Sequence, residues 1–320
     1  MHESPVLVVT ALGDVTADLV LAELHGRGVP VVRLDPGVDF PADARMSVRL
    51  TAHGLSGTIR TATRKLILDA VRSVYWRRPT PYGGTGLGTT DEEQFINSQA
   101  RAGYLGALAN LPGALYVNHP WRNRDGECKN AQLVAAAALG MDVPESVVTT
   151  DPDDARRFVA DHGPAVYKSL RRVHVPGEDG RSRTVWVRVV DPSDVDERVG
   201  ACPHFFQSCV DKVADIRLAA VGDELFATRI EIEGDHLDWR EDYEQLTYTP
   251  VPVPTAVRTA VHGYLDAFEL AFGAFDFALD ADGRWWFLEC NPNGQWAFVD
   301  EPTRRAITQA LADTLQKGRA

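Results

Sequence analysis

Residues 273–295, GAFDFALDADGRWWFLECNPNGQ, contain two strand-like runs, 274–280 and 284–292, on either side of Asp282-Gly283. An Asp-Gly pair between alternating apolar positions is the strongest short-range signal for a tight hairpin. With Asp282 and Gly283 as the two central residues, Ala281 faces Arg284, and counting back along both strands sets Asp276 opposite Glu289. Asn291 falls on the same face, because side chains alternate with period two. The other face pairs Leu279 with Trp286, Phe277 with Leu288 and Phe275 with Cys290. A four-residue loop would move the pairing by two and keep the faces, whereas a three-residue loop would break it.

Like charges directly opposite each other in a sheet cost up to about 1 kcal/mol, so Asp276 and Glu289 need a reason to be there. Two carboxylates and an amide oxygen suit Mg²⁺, which fills its remaining positions with water and phosphate. The competing reading is a solvent-facing strand whose charges serve only solubility.

With 320 residues, 44% of them hydrophobic, the chain can bury a large core and divides into two or three lobes. A formal net charge of −12 argues against nucleic acid as a partner of the whole chain. Cys128, Cys202, Cys209 and Cys290 show no zinc or CxxC spacing, which fits a reduced, cytoplasmic protein. The start, MHESPVLVV, lacks the basic region of a signal peptide, and no apolar run is long enough for a membrane span. Of 33 basic residues only Lys65, Lys129, Lys168, Lys212 and Lys317 are lysine, so lysine marks places where arginine would not serve.

A β-α-β start is expected over 5–35, with Leu19, Val20 and Leu24 on one helical face and no GxGxxG after the first strand. Short strands follow at 45–51, 55–61 and 66–68, and another at 73–79 ends in Arg77, Arg78 and Pro79. A glycine-rich loop leads to a helix capped at Thr89 or Thr90. Residues 115–119 read as a strand, 121–127 as a connector, 128–139 as a helix carrying Lys129, 143–149 as a strand and 151–162 as a helix. The strand 165–170 holds Lys168 in its middle, and the polar segment 171–183, RRVHVPGEDGRSR, reads as a mobile lid that returns through a strand at 184–190. Strands at 203–210, 214–220 and 224–231 come next, and Pro250, Pro252 and Pro254 then break the chain before a helix over 255–271. A helix over 301–317 closes the chain.

A lysine inside VYKSL needs an anion, and phosphate is a natural partner for a point-charge donor. Together with CKNAQL, FFQSCV, DIRLAAVGDELFATRI and the acidic hairpin, in that order, the chain from about Asn118 onward resembles the ATP-grasp ligases. The resemblance implies an α/β and α+β fold with a pre-ATP-grasp N-terminal domain (1–117), a central subdomain with the lid (118–207) and a C-terminal subdomain with the Mg²⁺ site (208–320). It implies ATP and Mg²⁺ as cofactors, with Lys129 and Lys168 on the nucleotide phosphates and Gln207, Ser208 and Val210 in the adenine-side hinge. Asp215 would lie near the ribose, Arg217 and Lys168 would act on the transferring phosphoryl group, and Asp276, Glu289 and Asn291 would bind the metal.

VYWRRP, HLDWR and FLECNPNGQW further resemble the graspetide synthetases, the microviridin-type macrocyclases that mature ribosomal peptides. That resemblance implies activation of Asp or Glu side chains of a precursor peptide as acyl phosphates and their closure onto Ser, Thr or Lys. The partner would be a peptide of leader plus acidic core, with Arg77, Arg78, Asp238 and Arg240 as substrate-binding candidates. No nucleic acid or membrane takes part, and a homodimer stays open. Two rival readings remain, an ATP-grasp ligase adding a free amino acid to a protein or small acid and a non-catalytic ATP-binding regulator.

Overall fold

The computed structural model describes residues 4–40, 43–82, 90–171, 174–176, 182–184, 187–232 and 246–318. Strands β1 (Val6–Val9), β2 (Val31–Leu34), β6 (Ser73–Trp76) and β7 (Leu115–Val117) form a parallel sheet in the order β2-β1-β6-β7. Helix α1 (Val15–Gly26) makes the first crossover and starts where Asp14 accepts from the Ala17 amide. After the short α2 (Pro36–Asp39), strands β3 (Arg45–Thr51), β4 (Gly54–Arg60) and β5 (Lys65–Ile67) make a separate antiparallel sheet. Helix α3 (Asp91–Leu108) begins with a reciprocal capping box between Thr90 and Glu93.

Residues 121–127 are not a plain connector. They lie mostly in α4 (Pro120–Gly126), whose proline fits the first helical turn, and α5 (Lys129–Ala138) follows directly. An antiparallel sheet then forms from β8 (Ser146–Thr149), β9 (Ala165–Lys168), β12 (Arg188–Val190) and β13 (His204–Ser208), in the order β12-β9-β13-β8. Helix α6 (Pro152–Asp161), capped by Asp151, covers it through Ala155 and Val159 packed with Ala165, Val190 and Phe206. Lys168 ends β9 instead of sitting mid-strand, so the strand is apolar only where it is covered. Within the expected lid, β10 (His174–Pro176) pairs antiparallel with β11 (Ser182–Thr184); the rest of 172–186 lies outside the described residues.

The C-terminal sheet runs β16-β15-β14-β17-β18, built from β14 (Lys212–Val221), β15 (Glu224–Ile232), β16 (Leu246–Val251), β17 (Phe272–Asp280) and β18 (Trp285–Asn291). Gly222 and Asp223 make the turn between β14 and β15, as expected. The three prolines do not simply break the chain, because Pro250 lies within β16, an edge strand where a missing N–H is tolerated. One face of this sheet, with Ile216, Leu218, Phe275, Phe277 and Phe287, packs on α5 and on α7 (Thr255–Phe268). On the opposite face, Ala219, Val221, Phe272 and Ala274 share a core with Val6, Val8 and Tyr75 of the first sheet and with Ile307 and Leu311 of α8 (Glu301–Lys317).

The acidic hairpin departs from the two-residue turn in an instructive way. Asp280 and Arg284 bracket a three-residue loop in which Gly283 adopts φ +83°, and Leu279 pairs with Trp285, Ala278 with Trp286 and Phe277 with Phe287. Trp285 and Phe287, not Trp286 and Leu288, therefore enter the core. A register shift between Asp276 and Phe277 absorbs one extra residue at Leu288, and beyond it Asp276 again faces Glu289 and Phe275 faces Cys290. A bulge of this kind re-aims the following side chains. The three-residue loop would have destroyed the acidic face, and the bulge restores it.

Candidate active site

Alternation along β14 and β17 puts Asp215, Arg217 and Asp276 on the face that further along carries the apolar Ala219 and Ala274. The first sheet and α8 cover the apolar end, and Asp215, Arg217 and Asp276 lie at the polar end of the same face. Glu289 and Asn291 continue this face on β18.

The two neighbouring carboxylates are each answered by a cation. Arg217 is paired with Asp276 across the strands, and its Nη1 donates to Asp276 Oδ1 at 2.7 Å while Nη2 donates to the Gln295 carbonyl at 2.6 Å. Both side chains are nearly buried, with 6% and 11% exposed, and the guanidinium lies 5.8 Å from the centre of the Phe298 ring. At the start of α5, Lys129 Nζ reaches Glu289 Oε2 at 2.6 Å, in a pair about one-fifth exposed on each side. Asn291 Nδ2 donates to Glu289 Oε1 at 3.1 Å, which orients the amide beside the carboxylates. This arrangement answers the like-charge repulsion between Asp276 and Glu289.

In the central sheet, Lys168 Nζ donates to Gln207 Oε1 at 2.6 Å, and Gln207, itself 1% exposed, is fixed by its Nε2 on Ser146 Oγ at 2.9 Å. Gln207 and Ser208 end β13, and the backbone N–H groups of Ser208 and Cys209 donate to the carbonyls of Glu145 and Pro164. Val210 follows in the short link to β14. Burial pushes the Cys209 thiol up, against the pull of Lys168 and Lys212. Lys212 Nζ holds Asp215 Oδ2 at 2.5 Å, so Asp215 pairs with this lysine and not with Arg217.

Of the four arginine and aspartate candidates for peptide binding, Asp238 and Arg240 lie outside the described residues. Arg77 is not an open clasp for a substrate carboxylate. It continues β6 into the interior, is 2% exposed, and donates to Asp14 and to the carbonyls of Asn293 and Gly294. Arg78 is exposed and donates to Asn293 O at 3.2 Å. Two further residues belong to the site. Lys212 could have been singled out by the scarcity of lysine, since three of the five lysines, Lys129, Lys168 and Lys212, hold the candidates Glu289, Gln207 and Asp215. Asn118, 1% exposed, carried no such signal; its amide bonds Phe272 O, Pro292 O and the Ala271 and Phe272 N–H groups.

Among the described residues no three His, Cys, Asp or Glu side chains gather to hold a metal. A cation at Asp276 and Glu289 would thus draw on the Asn291 amide and on ligand oxygens, a hard, all-oxygen set that fits Mg²⁺ in company with phosphate. Lys129 on Glu289 and Arg217 on Asp276 bring positive charge to this position, as holding and polarising a polyphosphate requires. Among the described residues no helix is long and apolar enough to cross a membrane, and all four cysteines are free.

No protein-family model and no curated protein matches the chain. Its architecture is similar to that of a Chryseobacterium gregarium RiPP-associated ATP-grasp ligase in complex with ADP and a leader and core peptide, with a TM-score of 0.88 and 24% identity over 98% of this chain and 97% of that one. Macrocyclase MdnC of Microcystis aeruginosa, bound with precursor peptide MdnA, superposes with a TM-score of 0.86 at 22% identity, covering 98% and 99% of the two chains. The ATP-grasp ligase PsnB, complexed with minimal precursor, Mg and ADP, gives 0.71 at 22% identity over 95% and 96%. The fold is therefore that of the ATP-grasp ligases from end to end.

Proposed function

We propose that the protein is an ATP- and Mg²⁺-dependent ligase that activates Asp or Glu side chains of a ribosomally made precursor peptide as acyl phosphates. It then closes them onto Ser, Thr or Lys side chains of the same peptide, giving macrolactones or macrolactams. The observation that carries this reading is the cluster in which Lys129 holds Glu289 beside Asn291 and Arg217 holds Asp276 on the paired strand, with Lys168 held on Gln207 in the central sheet. The likeness in fold to enzymes solved with leader and core peptides favours a peptide over a small acid as the substrate.

In this reading Asp276, Glu289 and Asn291 hold Mg²⁺, which when bound neutralises charge on the phosphates. Lys129 and Lys168 hold the phosphates, and the 208–210 hinge takes the adenine side. Asp215 lies toward the ribose, on a strand where Lys212 fixes its carboxylate. Arg217 donates to the phosphoryl group as a peptide carboxylate oxygen attacks it and ADP leaves, and then to the resulting acyl phosphate. A peptide hydroxyl or amine displaces phosphate from that carbonyl, and its proton departs with the phosphate. Positioning and electrostatics supply most of the acceleration, since the charge to be stabilised is on the transferring group. The enzyme would work in the cytoplasm, where ATP is at hand, without a nucleic-acid or membrane partner.

The test is incubation with Mg²⁺, ATP and a short acidic, Thr-containing peptide encoded beside this gene, followed by mass spectrometry. The expected product is lighter than the peptide by one water per linkage. A product heavier by one amino-acid residue would replace this reading with a free-amino-acid ligase. ATP binding without any mass change across neighbouring peptides would replace it with a regulatory ATP-binding protein.

A further inference from the structure

Four consecutive carbonyls, those of residues 292–295, are engaged by side chains from elsewhere in the chain. Asn118 Nδ2 donates to Pro292 O at 2.9 Å, Arg77 Nη1 to Asn293 O and Gly294 O at 3.1 Å each, and Arg217 Nη2 to Gln295 O at 2.6 Å. The segment turns tightly, with Gly294 N donating to Asn291 O at 2.9 Å. A Cβ on Gly294 would come within 2.3 Å of Ala274 Cβ and 2.7 Å of Arg217 Nη2, so the loop is pressed against the strand that carries Asp276.

Arg77 is the unusual member of this set. Its side chain is 1% exposed and, among the described residues, its one anionic partner is Asp14, 4% exposed, at 3.2 Å. Asp14 is in turn fixed by Thr10 Oγ1 at 2.8 Å and by the Ala17 N–H at 3.3 Å. A buried ion pair seldom stabilises a fold better than apolar residues of the same volume would. What the apolar alternative lacks is a planar, permanently charged donor able to hold two carbonyls of one loop at once.

We propose that Arg77, held by Asp14, is a positioning residue for the metal end of the site. By fixing the peptide planes that follow Asn291 it sets the Asn291 amide, and through Gln295 it sets the guanidinium of Arg217. Arg77 and Asp14, themselves buried, thus brace the site from the N-terminal part of the chain. This inference rests on the assignment of Asp276, Glu289 and Asn291 to Mg²⁺.

Arg77→Met, Arg77→Lys and Asp14→Asn test it, with Mn²⁺ as the probe for the metal in the presence of ADP, read by electron paramagnetic resonance. Partners one shell out from a metal typically change its affinity 10- to 100-fold. Arg77→Met should weaken Mn²⁺ binding by about tenfold or more, Arg77→Lys by less, and Asp14→Asn by an amount between the two. Affinity for ADP without metal should stay within about twofold. Amide hydrogen exchange at residues 293–296, measured without metal or nucleotide, should accelerate in Arg77→Met while exchange in β1 stays unchanged. Unchanged exchange, or faster exchange with unchanged Mn²⁺ affinity, overturns the proposal. A wild-type protein that binds no Mn²⁺ with ADP defeats the metal assignment instead, and hydrogen exchange then still decides whether Arg77 holds the loop. If Arg77→Met does not fold, the Lys and Asn variants decide by the same two measurements.

Discussion

Replacing Asp276 by Asn and Glu289 by Gln should cost unequal amounts of stability without ligand and remove a similar share of the stabilisation that ligand brings. Breaking a buried ion pair by removing one partner costs about 3–5 kcal/mol, and the Arg217–Asp276 pair is 6% and 11% exposed. Asn keeps an acceptor and Arg217 keeps the Gln295 carbonyl, which brings the loss down to about 2–3 kcal/mol. Removing one of two facing carboxylates returns up to about 1 kcal/mol, leaving a net loss of about 2 kcal/mol. The Lys129–Glu289 pair, about one-fifth exposed on each side, belongs with pairs worth about 0.2–1 kcal/mol, and the same relief of repulsion cancels its loss. An unfolding entropy scaled to 320 residues is about 0.7 kcal/mol per kelvin. Asp276→Asn should therefore lower the melting temperature by about 3 °C and Glu289→Gln by less than about 1 °C. A non-hydrolysable ATP analogue with Mg²⁺ at a hundred times its Kd adds about 2.7 kcal/mol, or about 4 °C, to the wild type. Both variants should lose most of that gain. Differential scanning fluorimetry with and without Mg²⁺ reads all of these values. Equal destabilisation of the two empty variants would refute the burial argument, and a full ligand gain in Glu289→Gln would refute the metal assignment.

Lys168→Met should abolish nucleotide binding in calorimetry whereas Lys65→Met leaves it unchanged, because Lys168 is the proposed phosphate ligand, held on Gln207, and Lys65 is exposed on β5; equal affinities would remove Lys168 from the site. Burial alone raises the Asp14 carboxyl, but Arg77, the Thr10 hydroxyl and the Ala17 amide outweigh it and hold the group below the ordinary carboxylate range. Its contribution to stability is therefore full above the unfolded carboxylate range and is lost as pH falls through the lowered folded value. Asp14→Asn should be less stable than wild type in urea at neutral pH, with the difference shrinking steadily in acid; a difference that does not change with pH would rule out the charged pair.

The local chemistry of most elements is written in the chain. Caps at Asp14, Thr90 and Asp151, the Gly222-Asp223 turn and the alternation of 215, 217 and 219 against 216, 218 and 220 each act within a few residues. So does the acidic face of β17 and β18, because the side on which a strand residue points depends only on parity. Parity alone did not survive the real loop. Three residues close the hairpin, and the face exists only because a bulge at Leu288 restores the register, a choice made by packing Trp285 and Phe287 into the core. β16 escaped the sequence reading because Pro250 argues against a strand until the sheet places that strand at its edge. The partners of the charged residues are likewise tertiary. Lys129 meets Glu289 across 160 positions, and Arg77 meets Gly294 across 217. Two adjacent arginines in a motif look alike in one dimension, yet β6 carries Arg77 inward beneath the 292–295 loop and leaves Arg78 at the surface. Residue type thus determined which chemistry was at hand, and burial, which exists only once distant segments pack, decided which arginine is enclosed among backbone carbonyls and which stays at the surface.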